Sequence, residues 1–111
     1  MSYETPMIVR ETSDGYFRYA IEEDMLAKRE VECVGEITPE KAYSLTRQLR
    51  WLEREDGSAE ITLLINSPGG DVNSGLALYD VMKGLSCPVR TVCLGTAASM
   101  AAVLFAGGGR R

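Results

Sequence analysis

The chain is 111 residues long, with 16 acidic and 12 basic side chains, a formal charge of −4 and no histidine. Its length suits one domain near the lower end of what buries a core of its own. With 45% hydrophobic and 25% charged residues, disordered, collagen-like and disulfide-scaffold classes are excluded. Without histidine, no Ser-His-Asp triad, Cys-His dyad or His-ligated metal site can be completed from these residues.

The charge is uneven: residues 1–60 hold 14 acids and 8 bases (−6), residues 61–111 hold 2 acids and 4 bases (+2). The acidic half reads as a solvated face, and no basic stripe is visible along the chain, which argues against nucleic acid as a partner. Cys33, Cys87 and Cys93 are odd in number and lack C-x-x-C spacing. Free thiols in a reducing, cytoplasmic compartment fit them, and a metal site does not. Met1 to Arg10 has no apolar core of a secretory signal. Thr91 to Gly109 is uncharged over 19 residues. Its Ala, Gly, Ser and Thr content favours a buried strand followed by a buried helix over a membrane span.

In chain order, residues 1–19 read as an arm or hairpin. The turn cluster Thr12-Ser13-Asp14-Gly15 lies between Met7-Ile8-Val9 and Tyr16-Phe17-Arg18-Tyr19. Ile21 to Lys28 is expected as a short helix, and Val31 to Val34 as a strand ending at Gly35. Thr38-Pro39 opens a helix, a capping hydroxyl followed by proline where a missing N–H costs nothing. Ala42, Leu45, Leu49 and Leu52 mark its buried side, and Gly57 its end. Ile61 to Ile65 has the continuous apolar run of a buried parallel strand. A second helix follows, with Val72, Leu76, Tyr79 and Met82 expected on its inner face. Cys87-Pro88 breaks it before a strand over Val89 to Leu94. Gly95-Thr96 is expected to turn the chain into a third helix over Ala98 to Ala106. The β-α-β-α-β-α order from Val31 calls for an α/β fold with a parallel sheet and right-handed crossovers.

Ligands in such sheets gather beyond the carboxyl ends of the strands, where two loops stand out. In Ser67-Pro68-Gly69-Gly70-Asp71, paired glycines let the main chain approach a ligand and offer N–H donors to an oxyanion. The same residues would also make a plain strand-to-helix turn. In Gly95-Thr96-Ala97-Ala98-Ser99-Met100-Ala101, Ser99 opens a helix among small residues, beside unpaired N–H groups that include that of Met100. Ser99 suits either a nucleophile or a helix cap.

Ile65-Asn66-Ser67-Pro68-Gly69-Gly70 and Gly75-Leu76-Ala77-Leu78-Tyr79-Asp80-Val81-Met82 closely resemble the proteolytic subunits of the Clp (caseinolytic) protease family. Gly95-Thr96-Ala97-Ala98-Ser99-Met100-Ala101 resembles that family's nucleophile motif. The likeness extends upstream through Gly35-Glu36-Ile37-Thr38 and weakly to Pro6-Met7-Ile8-Val9. It implies a ClpP/crotonase-like fold of repeated β-α-β units, with 1–19 as an N-terminal axial arm and 20–111 as the α/β domain. It also implies a serine endopeptidase in which Ser99 is acylated. The N–H groups of Gly70 and Met100 form the oxyanion hole, and Gly70, Asp71 and Val72 pair with the substrate main chain.

The family's heptameric rings, stacked as a tetradecamer, receive polypeptide from an AAA+ unfoldase of the ClpX or ClpA/ClpC type. That partner uses the ATP, so the subunit needs no cofactor or metal. Neither nucleic acid nor membrane is implied as a partner. The family's His and Asp lie downstream of its nucleophile helix, so the chain resembles a C-terminally truncated member, and these residues alone are expected to be inactive. Glu22-Glu23-Asp24-Met25-Leu26 departs from the family's Ser-Arg-Leu-Leu pattern. Other readings are a non-catalytic ring subunit, a signal-peptide-peptidase-like Ser–Lys enzyme using Lys83, and acyl-CoA chemistry on the related crotonase fold.

Overall fold

A computed structural model describes residues 7–12 and 15–109. The readings at Pro6, at Ser13-Asp14 and at Arg110-Arg111 lie outside them. In chain order the elements are β1 (Met7–Thr12), β2 (Gly15–Ala20), α1 (Ile21–Ala27), β3 (Glu30–Val34), α2 (Pro39–Glu55), β4 (Ile61–Ser67), α3 (Val72–Gly84), β5 (Val89–Ala97) and α4 (Met100–Ala106). β1 and β2 form an antiparallel hairpin, with Met7 opposite Ala20 and Thr12 opposite Gly15. The other strands form a separate sheet in the order β3-β4-β5. Both of its pairings are parallel, so Val31 sits beside Leu63 and Leu63 beside Thr91.

The helix signals act as expected in α2. The Thr38 side chain accepts from the Lys41 N–H at 3.1 Å, and Pro39 occupies the first turn. Ala42, Leu45, Leu49 and Leu52 are all buried. Burying each leucine contributes about 1.5–3 kcal/mol. The three leucines share one core cluster with Val31, Cys33, Ile61, Leu63 and Ile65 from the sheet and Leu78, Met82, Ala101 and Leu104 from α3 and α4. The helix ends at Glu55, and Asp56, one residue before Gly57, is its C-cap.

That C-terminus is held by a residue the sequence reading passed over. Arg29 leaves α1 at φ +64° and sends its guanidinium across the molecule. It donates to the carbonyls of Leu52 (3.1 Å), Asp56 (2.9 Å), Ala59 (2.9 Å) and Glu60 (3.2 Å). A positive fork on carbonyls at and just beyond a helix end is favourable both as hydrogen bonding and against the helix dipole.

Four expectations are corrected. Val72 (57% exposed) and Leu76 (46%) face outward, while Ser74, Gly75, Leu78 and Met82 are buried and Tyr79 is half-buried. The cause is Gly75: a β-carbon there would lie 2.7 Å from Met100 Cε, so the glycine side of α3 packs on α4. The uncharged stretch from Thr91 is strand then helix, but only partly buried, because β5 is an edge strand with Cys93 and Leu94 exposed. β5 also runs on through Gly95 and Thr96 to Ala97, and α4 starts only at Met100. Finally, the chain does carry a short basic stripe. Arg47, Arg50 and Arg54 recur along α2 with i, i+3, i+7 spacing and line one groove.

Candidate active site

The site arises where β4 and β5 end. Up to Ile65 and Cys93 the two strands pair residue for residue; the next pair is Ser67 with Ala97. Two steps along β4 thus face four along β5, a bulge that bends the edge strand. Asn66 holds it: its Oδ1 accepts from the Thr96 N–H at 3.3 Å. A β-carbon on Gly95, at φ +102°, would come within 2.9 Å of that same oxygen. Past the bulge, the Ala98 N–H donates to the Ser67 carbonyl at 3.1 Å, tying the β5 exit to the β4 exit.

Ser99 follows at φ 55°, ψ −125°. This is a left-handed conformation that a side chain rarely adopts, and one that stores strain at a sharp strand-to-helix turn. Its hydroxyl is exposed and does not cap α4. The helix-cap alternative is therefore set aside. The first α4 bonds run from Ala101 N–H to Ala98 O and from Ala102 N–H to Ser99 O. Among the described residues the Met100 N–H has no acceptor. The Met100 side chain is buried on Gly75, which anchors the turn.

The Gly-Gly loop meets this turn directly. A β-carbon on Gly69, at φ +104°, would lie 2.8 Å from Ser99 Cβ and 2.9 Å from the Ala98 carbonyl oxygen. The Gly69 N–H is held by Ser67 Oγ at 3.1 Å. Gly70 forms a parallel bridge with Ile37. The Ile37 N–H donates to Gly69 O at 2.8 Å, and the Asp71 N–H donates to Ile37 O at 2.9 Å. Bridge geometry alternates, so the Gly70 N–H and C=O point away from Ile37. Among the described residues that N–H too has no acceptor.

These two amides lie on loops in contact beside Ser99, whose hydroxyl makes no hydrogen bond among the described residues. A profile described as Clp protease matches residues 13–111. The chain belongs to the Clp protease family. It is a Clp-type peptidase subunit, and its mixed α/β architecture with a three-stranded parallel sheet is that expected of a ClpP-like fold. Among the described residues no helix is long and apolar enough to cross a membrane.

Of the five residues singled out from the family likeness, the structure gathers Ser99, Met100 and Gly70. The main-chain groups of Asp71 already make hydrogen bonds within the fold. Its N–H is taken by Ile37 and its C=O accepts from the Gly75 N–H at 3.0 Å. Its carboxylate caps α3, accepting from the Ser74 N–H at 2.8 Å and the Ser74 hydroxyl at 2.5 Å. The hydroxyl bond first, then the amide bond, holds the Asp71 carboxyl below its usual range. Val72 opens α3 with its side chain exposed.

Lys83 does not approach Ser99. Its Nζ donates to the Gly107 carbonyl at 3.5 Å, at the far end of α4. At 1.5 Å per residue, the length of α3 puts it about 18 Å along the helix from Asp71. Asn66, Ser67 and Ile37 are supporting residues that the sequence reading quoted within its motifs but gave no role of their own. A polar Asn-Ser pair closing an apolar strand run was the available signal for the first two. Ile37 carried none, because its role is entirely main-chain.

Proposed function

We propose that the chain is the nucleophile-bearing part of a serine-type, ATP-dependent Clp endopeptidase that degrades unfolded polypeptides. Ser99 attacks the peptide carbonyl and forms the acyl-enzyme. The Gly70 and Met100 N–H groups stabilise the tetrahedral anion, and the outward main-chain edge of Gly70 and Val72 aligns an extended substrate by strand addition. The observation that carries this reading is the Ser99 turn. A non-glycine residue at φ 55°, with its hydroxyl unbonded and exposed, lies against Gly69 and beside two donors without acceptors.

The proton must be shuttled by a base from outside these 111 residues, which contain no histidine. In the family likeness that base is a His–Asp pair, and these residues acting alone are inert. Assembly into stacked heptameric rings encloses the sites. Residues 1–19 act as the pore-side arm, and an AAA+ unfoldase spends the ATP in cytoplasmic protein quality control.

The test uses the assembled, active protein. A fluorophosphonate probe should label Ser99, and Ser99→Ala should abolish both labelling and peptide hydrolysis, a loss of at least 10³-fold. Labelling of another residue, or hydrolysis that survives Ser99→Ala, overturns the assignment.

A further inference from the structure

The segments that build the site carry almost no charge. Residues 61–79 and 91–109 supply β4, most of β5, α4, both site loops and the start of α3, and their one charged side chain is Asp71. Arg90 pairs beside Thr62 at the opposite end of the sheet, and Lys83 lies at the far end of α3. The other neighbour is the segment bridged to Gly70 through Ile37. There Glu36, next to Ile37, is exposed, and Lys41, from the first turn of α2, donates to the Val34 carbonyl. The surroundings of Gly70 on this chain are therefore negative, and Asp71 stands one residue away from it.

Asp71 cannot swing its charge aside. Its Oδ2 accepts both Ser74 bonds, at 2.8 Å from the N–H and 2.5 Å from the hydroxyl, which fixes the carboxylate at the start of α3. Oδ1 has no partner and the side chain no counter-ion among the described residues, and the residue is exposed. The same bonds, the hydroxyl's more than the amide's, favour its ionised form. A helix N-terminus offsets about half a unit charge, so a net negative charge of about that size remains. Asp71 itself has extended backbone, at φ −64° and ψ 123°. A substrate strand laid along Gly70 and Val72 alternates its side chains from face to face, so one of the two residues flanking the scissile bond shares the face of Asp71. Neighbours on one face of paired strands are about 5 Å apart directly and about 7–8 Å diagonally, within the screening length of about 8 Å at physiological salt.

We propose that Asp71 sets the charge preference of the Ser99 site, favouring lysine or arginine next to the scissile bond and disfavouring glutamate or aspartate there. This rests on the reading of Ser99, Gly70 and Met100 as nucleophile and oxyanion hole. It adds a side-chain selection to a site whose other contacts with an extended substrate are main-chain and indifferent to sequence. The charge acts on substrate as it binds, so its effect falls on KM more than on kcat.

Quenched-fluorescence heptapeptides given to the assembled, active protein test this. They differ in one residue, lysine, leucine or glutamate, on one side or the other of a common cleavage bond confirmed by mass spectrometry. At one of the two positions kcat/KM should rank lysine above leucine above glutamate. Lysine should exceed glutamate about tenfold, the combined attraction and repulsion of a part-exposed charge pair, and the ratio should shrink in about 0.5 M salt. Asp71→Asn and Asp71→Ser keep a capping oxygen for Ser74 without the charge, and each should bring the ratio to within about twofold. Because the ratio compares substrates on one preparation, any fraction lost to misfolding cancels. Glu36→Gln should leave most of the preference in place.

A parent protein without the preference overturns the proposal. So does a preference that survives the Asp71 variants, or one that disappears with Glu36→Gln. Ser99→Ala separates this from the assignment of the nucleophile. Hydrolysis that continues in that variant removes the Ser99 reading and the proposal together, whereas Ser99-dependent hydrolysis without a charge preference removes the proposal alone.

Discussion

Gly70→Ala is the substitution on which the geometry makes its sharpest demand. A β-carbon at Gly70 would sit 2.2 Å from the Ile37 carbonyl oxygen and 2.7 Å from the Ile37 nitrogen. Both are backbone atoms, so no side-chain rotation relieves the overlap, and the bridge itself must open. Opening it sacrifices the Ile37-to-Gly69 and Asp71-to-Ile37 hydrogen bonds, together about 2 kcal/mol. Ile37 is 1% exposed, and loosening a residue so buried adds about 1 kcal/mol. The expected loss of about 3 kcal/mol corresponds to a melting temperature lower by roughly 12 °C or more for a domain of this size. The same displacement moves the Gly70 N–H, so peptide hydrolysis by the assembled protein should fall about 10²–10³-fold. Gly84→Ala is the internal control: nothing lies within 4 Å of its β-carbon position, at the end of α3. It should be neutral or slightly stabilising. Thermal denaturation followed by circular dichroism reads both. A Gly70→Ala protein melting within 2 °C of the parent refutes the bridge argument.

The remaining predictions concern the support of the fold. Arg29→Ala removes the fork from four carbonyls around the end of α2 and should cost about 2 kcal/mol in urea unfolding. Arg29→Lys should recover less than half, because an ammonium cannot span those acceptors; full recovery would show that charge alone matters. Hydrogen bonds from Ser74 depress the Asp71 carboxyl, so its stabilising contribution is complete above about pH 4, the usual carboxylate value, and fades as the pH drops through the lower folded value. The stability gap between the parent and Asp71→Asn should therefore narrow in acid. A gap that widens below pH 4 contradicts the cap. Burial raises the Cys33 thiol pKa above its ordinary value, Lys41 only partly opposing this. A thiol reagent at pH 8 should accordingly modify exposed Cys93 first and reach Cys33 only on unfolding. Rapid native-state labelling of Cys33 would refute its place in the core.

What could be seen in the residues, and what could not, divides along a physical line. Signals that act locally were legible. Thr38-Pro39 started α2 where a hydroxyl cap and a fixed φ require it, and the step from Ala42 to Leu52 marked its buried side. The failures came where a second element decides. Val72 and Leu76 have helical spacing and ought to face inward, yet the face carrying Gly75 does so instead, because Met100 of α4 approaches that glycine too closely for a side chain. Arg47, Arg50 and Arg54 looked like scattered charges until one helix aligned them.

The candidate site shows both sides of that line. Its parts were visible as Gly69-Gly70 and as Ser99 among small residues, because close approach demands small side chains and sequence records demands of size. Whether the serine is a cap or a nucleophile depends on its φ, its unbonded hydroxyl and the free Met100 amide. Those are set two residues earlier by a bulge that Asn66 pins from the neighbouring strand. No local pattern round Ser99 contains Asn66. The two meet only because β4 and β5 run parallel and end together. A site assembled at the shared edge of parallel strands is therefore written in the sequence as separate short loops, and only the register between strands joins them.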